Sequence, residues 1–265
     1  MRLYSGSSGQ FIEDTTQNVI AEKMRSSFFE YFRYNPSPNE ISSWRNSLRA
    51  MSLILSTSKM DDHGIILEYQ LPLTSKRLDF LICGKDKERR ENAVIIELKQ
   101  WEKSQMAEGE NEVMTYVGGG HREVLHPSAQ VGQYMMYLKD THTAFYDGAA
   151  PIGLSACSYL HNYQFVPEDV LFARKFQNII DNCPVFTADD VTKLRSFLFT
   201  RLEAGEGLEV LSKVEQSRYR PSKKLMDHVG GVIKGIPQYV LLDEQLIVYD
   251  KVMSVASQGF HATKK

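Results

Sequence analysis

Three residues with the chemistry needed for metal-assisted hydrolysis lie in two apolar segments of the chain. Asp79 interrupts one run of apolar residues, and Glu97 and Lys99 stand two positions apart at the end of another. Side chains alternate along a β-strand, so Glu97 and Lys99 should share one face while Leu98 points to the other. Pairing of the two segments as a hairpin would bring Asp79 beside Glu97. The pattern therefore predicts two carboxylates and an amine at one point of a sheet.

This set of groups indicates a metal-dependent reaction. Two acids buried together lose hydration and repel each other unless a cation or a proton offsets their charge. Carboxylate oxygens favour Mg²⁺ or Mn²⁺, which polarise a phosphate, lower the pKa of a bound water and stabilise charge during in-line displacement. Lys99 would orient or activate the attacking water, or neutralise charge on the phosphate. The alternative interpretation is an ordinary salt bridge between strands.

Three other polar residues are candidates for the same site. Gln130 and Tyr134 lie four positions apart in a predicted helix, so they share one helical face and can reach a phosphate or position Lys99. The alternative for this pair is a core tyrosine beside a surface glutamine. Glu68, eleven positions before Asp79, is either a further metal ligand or an edge residue.

A glycine-rich segment, residues 118–120, lies between the second apolar segment and this helix. It lacks the GK[ST] sequence of a phosphate-binding P-loop, so we interpret it as a flexible loop near the site. His121 and His126 follow it and either contact phosphate or are solvated loop residues. We favour the solvated interpretation.

The hydrophobic pattern predicts the elements that would position these residues. Three apolar segments bounded by turn residues are predicted as consecutive antiparallel strands: 65–71, 77–83 and 93–98. Amphipathic helices are predicted before and after them: 14–32, 42–55, and one that opens at His126-Pro127-Ser128. A fourth strand is predicted at 152–159. The order helix, three strands, helix, strand indicates an α/β fold.

The chain beyond Pro167 is predicted to be mostly helical. A short strand is expected at 184–186, and a sequence similar to a capping box, Thr187-Ala188-Asp189-Asp190, opens a helix that continues to Leu202. A further helical pattern covers 211–233, followed by an apolar stretch at 239–252. The predicted divisions are N-terminal helices (1–60), a core that holds the candidate residues (61–166), a helical extension (167–252) and a tail or linker (253–265).

Composition is that of an ordinary globular protein. The 265 residues carry a net charge of −2, and no signal peptide or membrane span is recognisable, so a cytoplasmic location is expected. Three separated cysteines without CxxC spacing predict neither disulfides nor a zinc site. The charge counts against a nucleic-acid binder, since such proteins neutralise phosphates with Lys and Arg. Two local basic stretches, 85–90 and 218–224, are interpreted as solvated faces.

The spacing of the candidate residues resembles the PD-(D/E)XK nuclease superfamily. Asp79, followed after a hairpin by Glu97-Leu98-Lys99, is similar to its defining motif. The core of that superfamily is a helix, three antiparallel strands, a helix and a further strand, which is the order predicted above. Gln130 and Tyr134 are similar to the QxxxY motif of its RecB-like branch. The resemblance implies a restriction-endonuclease-like core with a mostly helical C-terminal extension.

The same resemblance implies a phosphodiesterase that depends on Mg²⁺ or Mn²⁺. Its catalytic residues would be Asp79, Glu97, Lys99, Gln130 and Tyr134, and its metal ligands would be Asp79, Glu97 and Glu68. The helix-borne acid of the family corresponds to Glu22 or Glu40. The four cysteines that hold an iron–sulfur cluster in some RecB-like nucleases are missing, so no cluster is expected.

Longer segments resemble the N-terminal region of bacterial nuclease-helicase proteins with a DNA/RNA helicase motor of the Schlafen-associated type. These segments are SWRNSL, EYQLPLTSKRLDFLICG, IIELKQW, HPSAQVGQY and LLDEQLIVYDKVM. The resemblance implies a nucleic-acid substrate, with DNA favoured over RNA, and a motor in the same or a partner polypeptide. Gln245 resembles the adenine-reading glutamine before such a motor. No GxGKT follows it, so no ATP site is expected within this chain, which would be an excised domain or a stand-alone relative.

Two other functions fit the sequence. One is a module with a nuclease fold that recognises nucleic acid for a helicase without cutting it. The other is an interaction domain of a defence complex, with the region after Pro167 as its docking surface. A role in phage defence or DNA repair follows only by analogy, no membrane partner is expected, and no oligomeric state is predicted.

Overall fold

The computed structural model describes residues 1–72, 74–220 and 251–252. In this part of the chain, the α-helices are α1 (Ser8–Thr16), α2 (Ile20–Phe32), α3 (Pro38–Thr57), α4 (Pro127–Thr141), α5 (Gln177–Asn182), α6 (Val191–Leu202) and α7 (Gly207–Gln216). The strands are β1 (Tyr4–Ser7), β2 (Gly64–Gln70), β3 (Arg77–Lys85), β4 (Glu91–Lys99), β5 (Gln105–Met106), β6 (Glu112–Val117), β7 (Gly120–Leu125), β8 (Gly153–Leu160) and β9 (Val185–Thr187).

A mixed sheet of six strands forms the centre of the fold, in the order β1-β2-β3-β4-β8-β9. The strands β1 to β4 pair antiparallel, whereas β8 and β9 are parallel to β4. The three predicted antiparallel strands are therefore confirmed, and the predicted fourth strand lies next to the third. The α/β class is confirmed with them.

Helices cover both faces of this sheet. The helices α1, α2, α3 and α6 pack on one face, where alternate residues of the central strands, such as Phe80 and Ile96, are fully buried. The helices α4 and α7 pack on the other face against Leu81 and Ile95. Burial on both faces explains why β3 and β4 appear in the sequence as nearly continuous apolar runs rather than as alternating ones.

Local capping fixes where the helices begin. The Ser37 side chain accepts a hydrogen bond of 3.1 Å from the backbone N–H of Glu40, and Pro38 occupies the first turn of α3. Pro127 has the same position in α4, where the imidazole of His126 accepts a hydrogen bond from the backbone N–H of Ser128. The capping box predicted at Thr187 and Asp190 is present.

The helix predicted at 14–32 is wrong as a single element. The chain forms two helices, because α1 ends at Thr16 and α2 begins at Ile20, with Asn18 between them in the left-handed region at φ 59°. The apolar repeat behind the prediction lies entirely within α2. The β-strand before α1 was not predicted.

A second, three-stranded antiparallel sheet, β5-β6-β7, was also not predicted. Its strands β6 and β7 form a tight hairpin around Gly118 and Gly119, both with positive φ, which is the backbone that a two-residue hairpin turn requires. The segment interpreted as a flexible loop is therefore the tip of this hairpin, and Gly120 belongs to β7.

The described part of residues 167–252 joins the central sheet. The strand β9 pairs with β8, α6 packs on β3 and β4, and α7 packs on β2 and β3. The domain boundaries stay a prediction. Of the predicted stretches 211–233 and 239–252, the parts 221–233 and 239–250 lie outside the described residues, as does Gln245. Within the described residues, no helix has the length and apolar character needed to cross a membrane.

Candidate functional site

Asp79 lies where β3 and β4 separate. The backbone pairing of the two strands ends at Phe80 and Ile96. One residue further, Asp79 Oδ2 accepts a hydrogen bond of 2.7 Å from the backbone N–H of Leu98, in place of a backbone partner. The carboxyl groups of Asp79 and Glu97 line the same cavity. The structure thus brings together the two acids that strand alternation and hairpin pairing predict to be neighbours.

A polar cluster, made of Glu97, Lys99, Gln130 and Tyr134, joins β4 to α4. Lys99 Nζ lies 2.8 Å from Glu97 Oε1 and donates a second hydrogen bond of 2.8 Å to Gln130 Oε1. The amide nitrogen of Gln130 donates to Glu97 Oε1 and to the Tyr134 hydroxyl, at 2.9 Å each. The Glu97 carboxylate therefore accepts hydrogen bonds from both the amine and the amide.

These residues line one cavity of about 640 Å³ at the ends of the central strands of the main sheet. Its other walls come from α3, from the chain around Arg77 and from the β6–β7 hairpin, which contributes Tyr116, Val117 and Gly118. Glu97 and Tyr134 are buried at its base, whereas Lys99 and Asp79 remain partly accessible. A volume of this size suits a ligand of small-molecule or nucleotide dimensions.

Glu68 lies between Leu67 and Tyr69, which pair with Phe80 and Leu78 of β3, and its backbone has φ 51°. A non-glycine residue with positive φ inside a strand is strained, and surrounding contacts must hold it. Two such contacts are present: Trp44 Nε1 donates to Glu68 Oε1 at 3.0 Å, and Arg77 Nε lies 3.1 Å from Glu68 Oε2. Arg77 also pairs with Glu40 at 2.5 Å.

The two candidate helix-borne acids are in different places. Glu40 lines the cavity together with Glu68 and Asp79. Glu22 is exposed on α2, where it pairs with Arg25, and it does not line the cavity. Of the two, only Glu40 is placed to act with the acids of the site.

Burial makes two acids of this cavity, Asp79 and Glu68, hold protons more tightly than usual. Loss of hydration, followed by repulsion from Glu68, raises the pKa of Asp79 to about 6. Loss of hydration also raises the pKa of Glu68 to about 7, although Arg77 and Trp44 act in the opposite direction. A cation bound between these carboxylates would remove the repulsion and favour their ionised forms.

Among the described residues, no group of three or more Asp, Glu, His or Cys side chains is arranged to hold a metal ion. Mg²⁺ does not require such a group, because it keeps several waters and is usually held by one or two carboxylates together with substrate phosphates. Asp79 and Glu97 form an oxygen-only pair of this type. Glu68 is directed to Arg77 and Trp44, so it would have to turn to become a ligand.

The sequence-based prediction missed Arg77 and Trp44. Arg77 lies two positions before Asp79 on the same strand, and alternation could have placed the two side chains on one face. The contact of Trp44 with Glu68 joins a helix to a strand, and nothing in the local pattern indicates it.

The two histidines near the glycines have different surroundings. The imidazole of His126 is fully buried, Nε2 lies 3.0 Å from the Leu171 carbonyl oxygen, and burial lowers its pKa to about 4. It is a structural residue, neither solvated nor in the cavity. His121 is exposed, and its ring contacts Tyr116.

No protein-family model, curated protein sequence or solved structure matches this chain. The assignment of a function therefore depends on the site itself.

Proposed function

We propose that this protein is a nuclease that hydrolyses phosphodiester bonds of nucleic acid with the help of Mg²⁺ or Mn²⁺. The observation that carries the proposal is the contact of Lys99 with both Glu97 and Gln130 at the base of a cavity that Asp79 also lines. Structural salt bridges of a sheet do not need a cavity of this size. A hydrolytic site needs a positioned amine and a second carboxylate for a metal ion. The contact with Gln130 positions the Lys99 amine, and Asp79 is the second carboxylate.

Each residue has a distinct role in the proposed reaction. Asp79 and Glu97 would hold the metal ion, and the ion would polarise the phosphate and lower the pKa of a water. Lys99 orients the attacking water or neutralises charge on the phosphate, since its ammonium donates several hydrogen bonds. Gln130 fixes the Lys99 amine through its amide oxygen, and Tyr134 in turn fixes the Gln130 amide.

The arrangement of elements supports a restriction-endonuclease-like core. The helix α3, the strands β2, β3 and β4, the helix α4 and the strand β8 follow one another in the order expected for that core. The acidic pair lies where β3 and β4 diverge. The remaining strands and helices would then be additions around that core.

A helicase motor, in the same or a partner polypeptide, is part of this proposal, with DNA favoured over RNA as substrate. It is supported only by the resemblance of the longer segments, and the segment around Gln245 lies outside the described residues. The hydrolytic site does not require residues of such a motor, because every residue of the polar cluster lies on β4 or α4.

A second candidate function is a module that binds nucleic acid without cutting it. It is favoured by the absence, among the described residues, of a preformed group of three metal-ligating side chains. Metal titration separates the two functions, because a binding-only module would show no metal-dependent turnover.

The test is a cleavage assay on labelled single-stranded DNA, duplex DNA and RNA, with Mg²⁺ or Mn²⁺ and with EDTA. We expect metal-dependent cleavage that EDTA abolishes and that Lys99→Ala lowers at least about 100-fold. Lys213→Ala is the matched control, since Lys213 also pairs with a glutamate, Glu91, but lies on α7 away from the cavity. Equal activity of Lys99→Ala and the wild type would refute the site, and metal-independent binding without turnover would favour the second function.

A further inference from the structure

A second cavity shares part of its wall with the first. Its volume is about 480 Å³, and its lining residues come from β5, β6 and the segment after β4. Tyr116 and Trp101 line both cavities, as does Gln100. Tyr116 of β6 therefore borders both the proposed cleavage site and this second cavity.

Tyr116 has the properties of a stacking platform. Its side chain is 62% exposed, so much of the ring is accessible to a ligand. His121 lies directly opposite in the β6–β7 register, and its ring meets that of Tyr116 edge to face at a centroid distance of 5.5 Å. The contact and the tight glycine turn hold the ring in place, which lowers the entropy cost of binding a partner.

Polar groups around this ring suit the edges of a nucleobase. The second cavity includes the side-chain amides of Gln100 and Gln105, which each present donors and an acceptor, and the hydroxyl of Thr115 lies on the same wall. Among the described residues that line it, Lys103 and Glu102 carry opposite charges. A pocket with an exposed tyrosine ring, two side-chain amides and no net charge favours a base over a phosphate.

We propose that the second cavity binds an unpaired nucleobase stacked on Tyr116, while the adjacent phosphate lies beside Lys99. This inference rests on the proposed nuclease function and narrows its substrate to single-stranded nucleic acid. Bases in a duplex stack on one another and leave no free face, whereas a single strand offers one at every nucleotide. Stacking also supplies affinity without positive charge, which suits a chain with a net charge of −2.

Binding can be measured separately from cleavage. Fluorescence anisotropy in EDTA reports the affinity for fluorescein-labelled oligo(dT) and oligo(U) of about 12 nucleotides, and for an abasic strand of the same length. The variants are Tyr116→Ala, Tyr116→Phe and the control Tyr31→Ala. Tyr31 is 55% exposed on α2 and lines neither cavity, so it matches Tyr116 in type and accessibility.

We expect Tyr116→Ala to weaken binding of oligo(dT), oligo(U) or both about tenfold, as loss of one stacked base does. Tyr116→Phe and Tyr31→Ala should bind as the wild type does, and the abasic strand should bind wild type and Tyr116→Ala equally. Unchanged oligonucleotide binding by Tyr116→Ala, an equal loss for the abasic strand, or no binding by the wild type would overturn the proposal. Because metal is absent, stacking can stand even if the cleavage assay fails.

Discussion

Gln130 is the residue that connects the two sides of the site. Its amide oxygen holds the Lys99 amine, and its amide nitrogen holds Glu97 and the Tyr134 hydroxyl. An amide is the side chain that can do this, because it accepts on one end and donates on the other. A carboxylate in its place could not donate to Glu97, and an alkyl group could do neither.

We therefore expect Gln130→Ala to lower turnover about 10- to 100-fold, the range seen when a residue that orients an active-site group is removed. Tyr134→Phe removes the hydrogen bond that the Tyr134 hydroxyl accepts from Gln130, and it should lower turnover only a few-fold. The measurement is kcat and KM at saturating metal, with thermal unfolding of both variants as the control. If Gln130→Ala loses stability but keeps kcat, the residue only supports the fold.

The raised pKa of Glu68 gives a second expectation, for stability. The groups that face Glu68 are Arg77 and Trp44, which favour its ionised form, and Glu40 and Glu97, which oppose it. The folded-state pKa is about 7 and the unfolded value is lower. At a pH between these two values, the folded state holds a proton that the unfolded state has lost. Protonated Glu68 therefore stabilises the folded state fully below the unfolded pKa, and this stabilisation is lost as pH rises toward about 7.

Glu68→Gln replaces the acid by a neutral group of the same shape and should remove this dependence. Relative to the wild type, the variant should gain stability between pH 5 and pH 8 by about 1–3 kcal/mol, because only the wild type ionises a buried group there. Urea unfolding of both proteins at the two pH values measures this. The same stability difference at pH 5 and pH 8 would contradict the expectation.

At the scale of elements, the start of α7 is tied to the sheet by a close approach of backbones. A Cβ atom on Gly207 would lie 2.1 Å from the Gly64 nitrogen and 2.3 Å from the Cys83 carbonyl oxygen. Backbone atoms cannot move aside as the end of a flexible side chain can. Glycine is thus required here for packing. The helix α7 can cover β2 and β3 only because both Gly207 and Gly64 lack side chains.

Gly207→Ala should lower the free energy of unfolding by about 3 kcal/mol or more, at the upper end of the range for overpacked positions. Gly120→Ala is the control, because a Cβ atom there meets nothing within 4 Å. Urea denaturation of both variants provides the comparison. Similar stability for the two variants would show that α7 can shift without cost.

The elements predicted correctly are those whose own residues carry the signal. The strands β2, β3 and β4 are apolar enough to be recognised without knowledge of their neighbours, and Pro127 and Thr187 mark helix starts by local chemistry. The small sheet was missed because β5 has only two residues and β7 carries His, Arg and Glu. It also buries few apolar side chains, among them Val113 and Leu125.

The candidate site divides in the same way. Alternation within β4 predicted that Glu97 and Lys99 share a face, and spacing within α4 did the same for Gln130 and Tyr134. The contact of Trp44 with Glu68 could not be predicted, since it depends on the packing of a helix on a strand rather than on a repeat. The strained backbone of Glu68 depends on the same contact: it is held by Trp44 from α3, 24 positions away.

At the scale of the whole molecule, the distribution of charge limits how nucleic acid can be held. The basic stretch 85–90 is neutralised by acids of the chain itself: Lys85 lies within 2.9 Å of both Glu206 and Glu209, and Arg90 lies 2.7 Å from Asp86. This agrees with the interpretation of that stretch as a solvated face. The proposed contacts with phosphate are therefore assigned to the two cavities.

Salt dependence of binding measures this directly. The described basic residues that line the cavities are Lys76, Arg77, Lys99 and Lys103. Each phosphate neutralised on a single strand contributes about −0.7 to the slope of log K against log salt concentration, so these residues set a limit of about −3. We expect oligo(dT) binding in EDTA to give a slope between about −1 and −3, shallower in Lys99→Ala. A slope near −5 would require a further basic surface, and the stretch 218–224 would then be the first segment to neutralise by substitution.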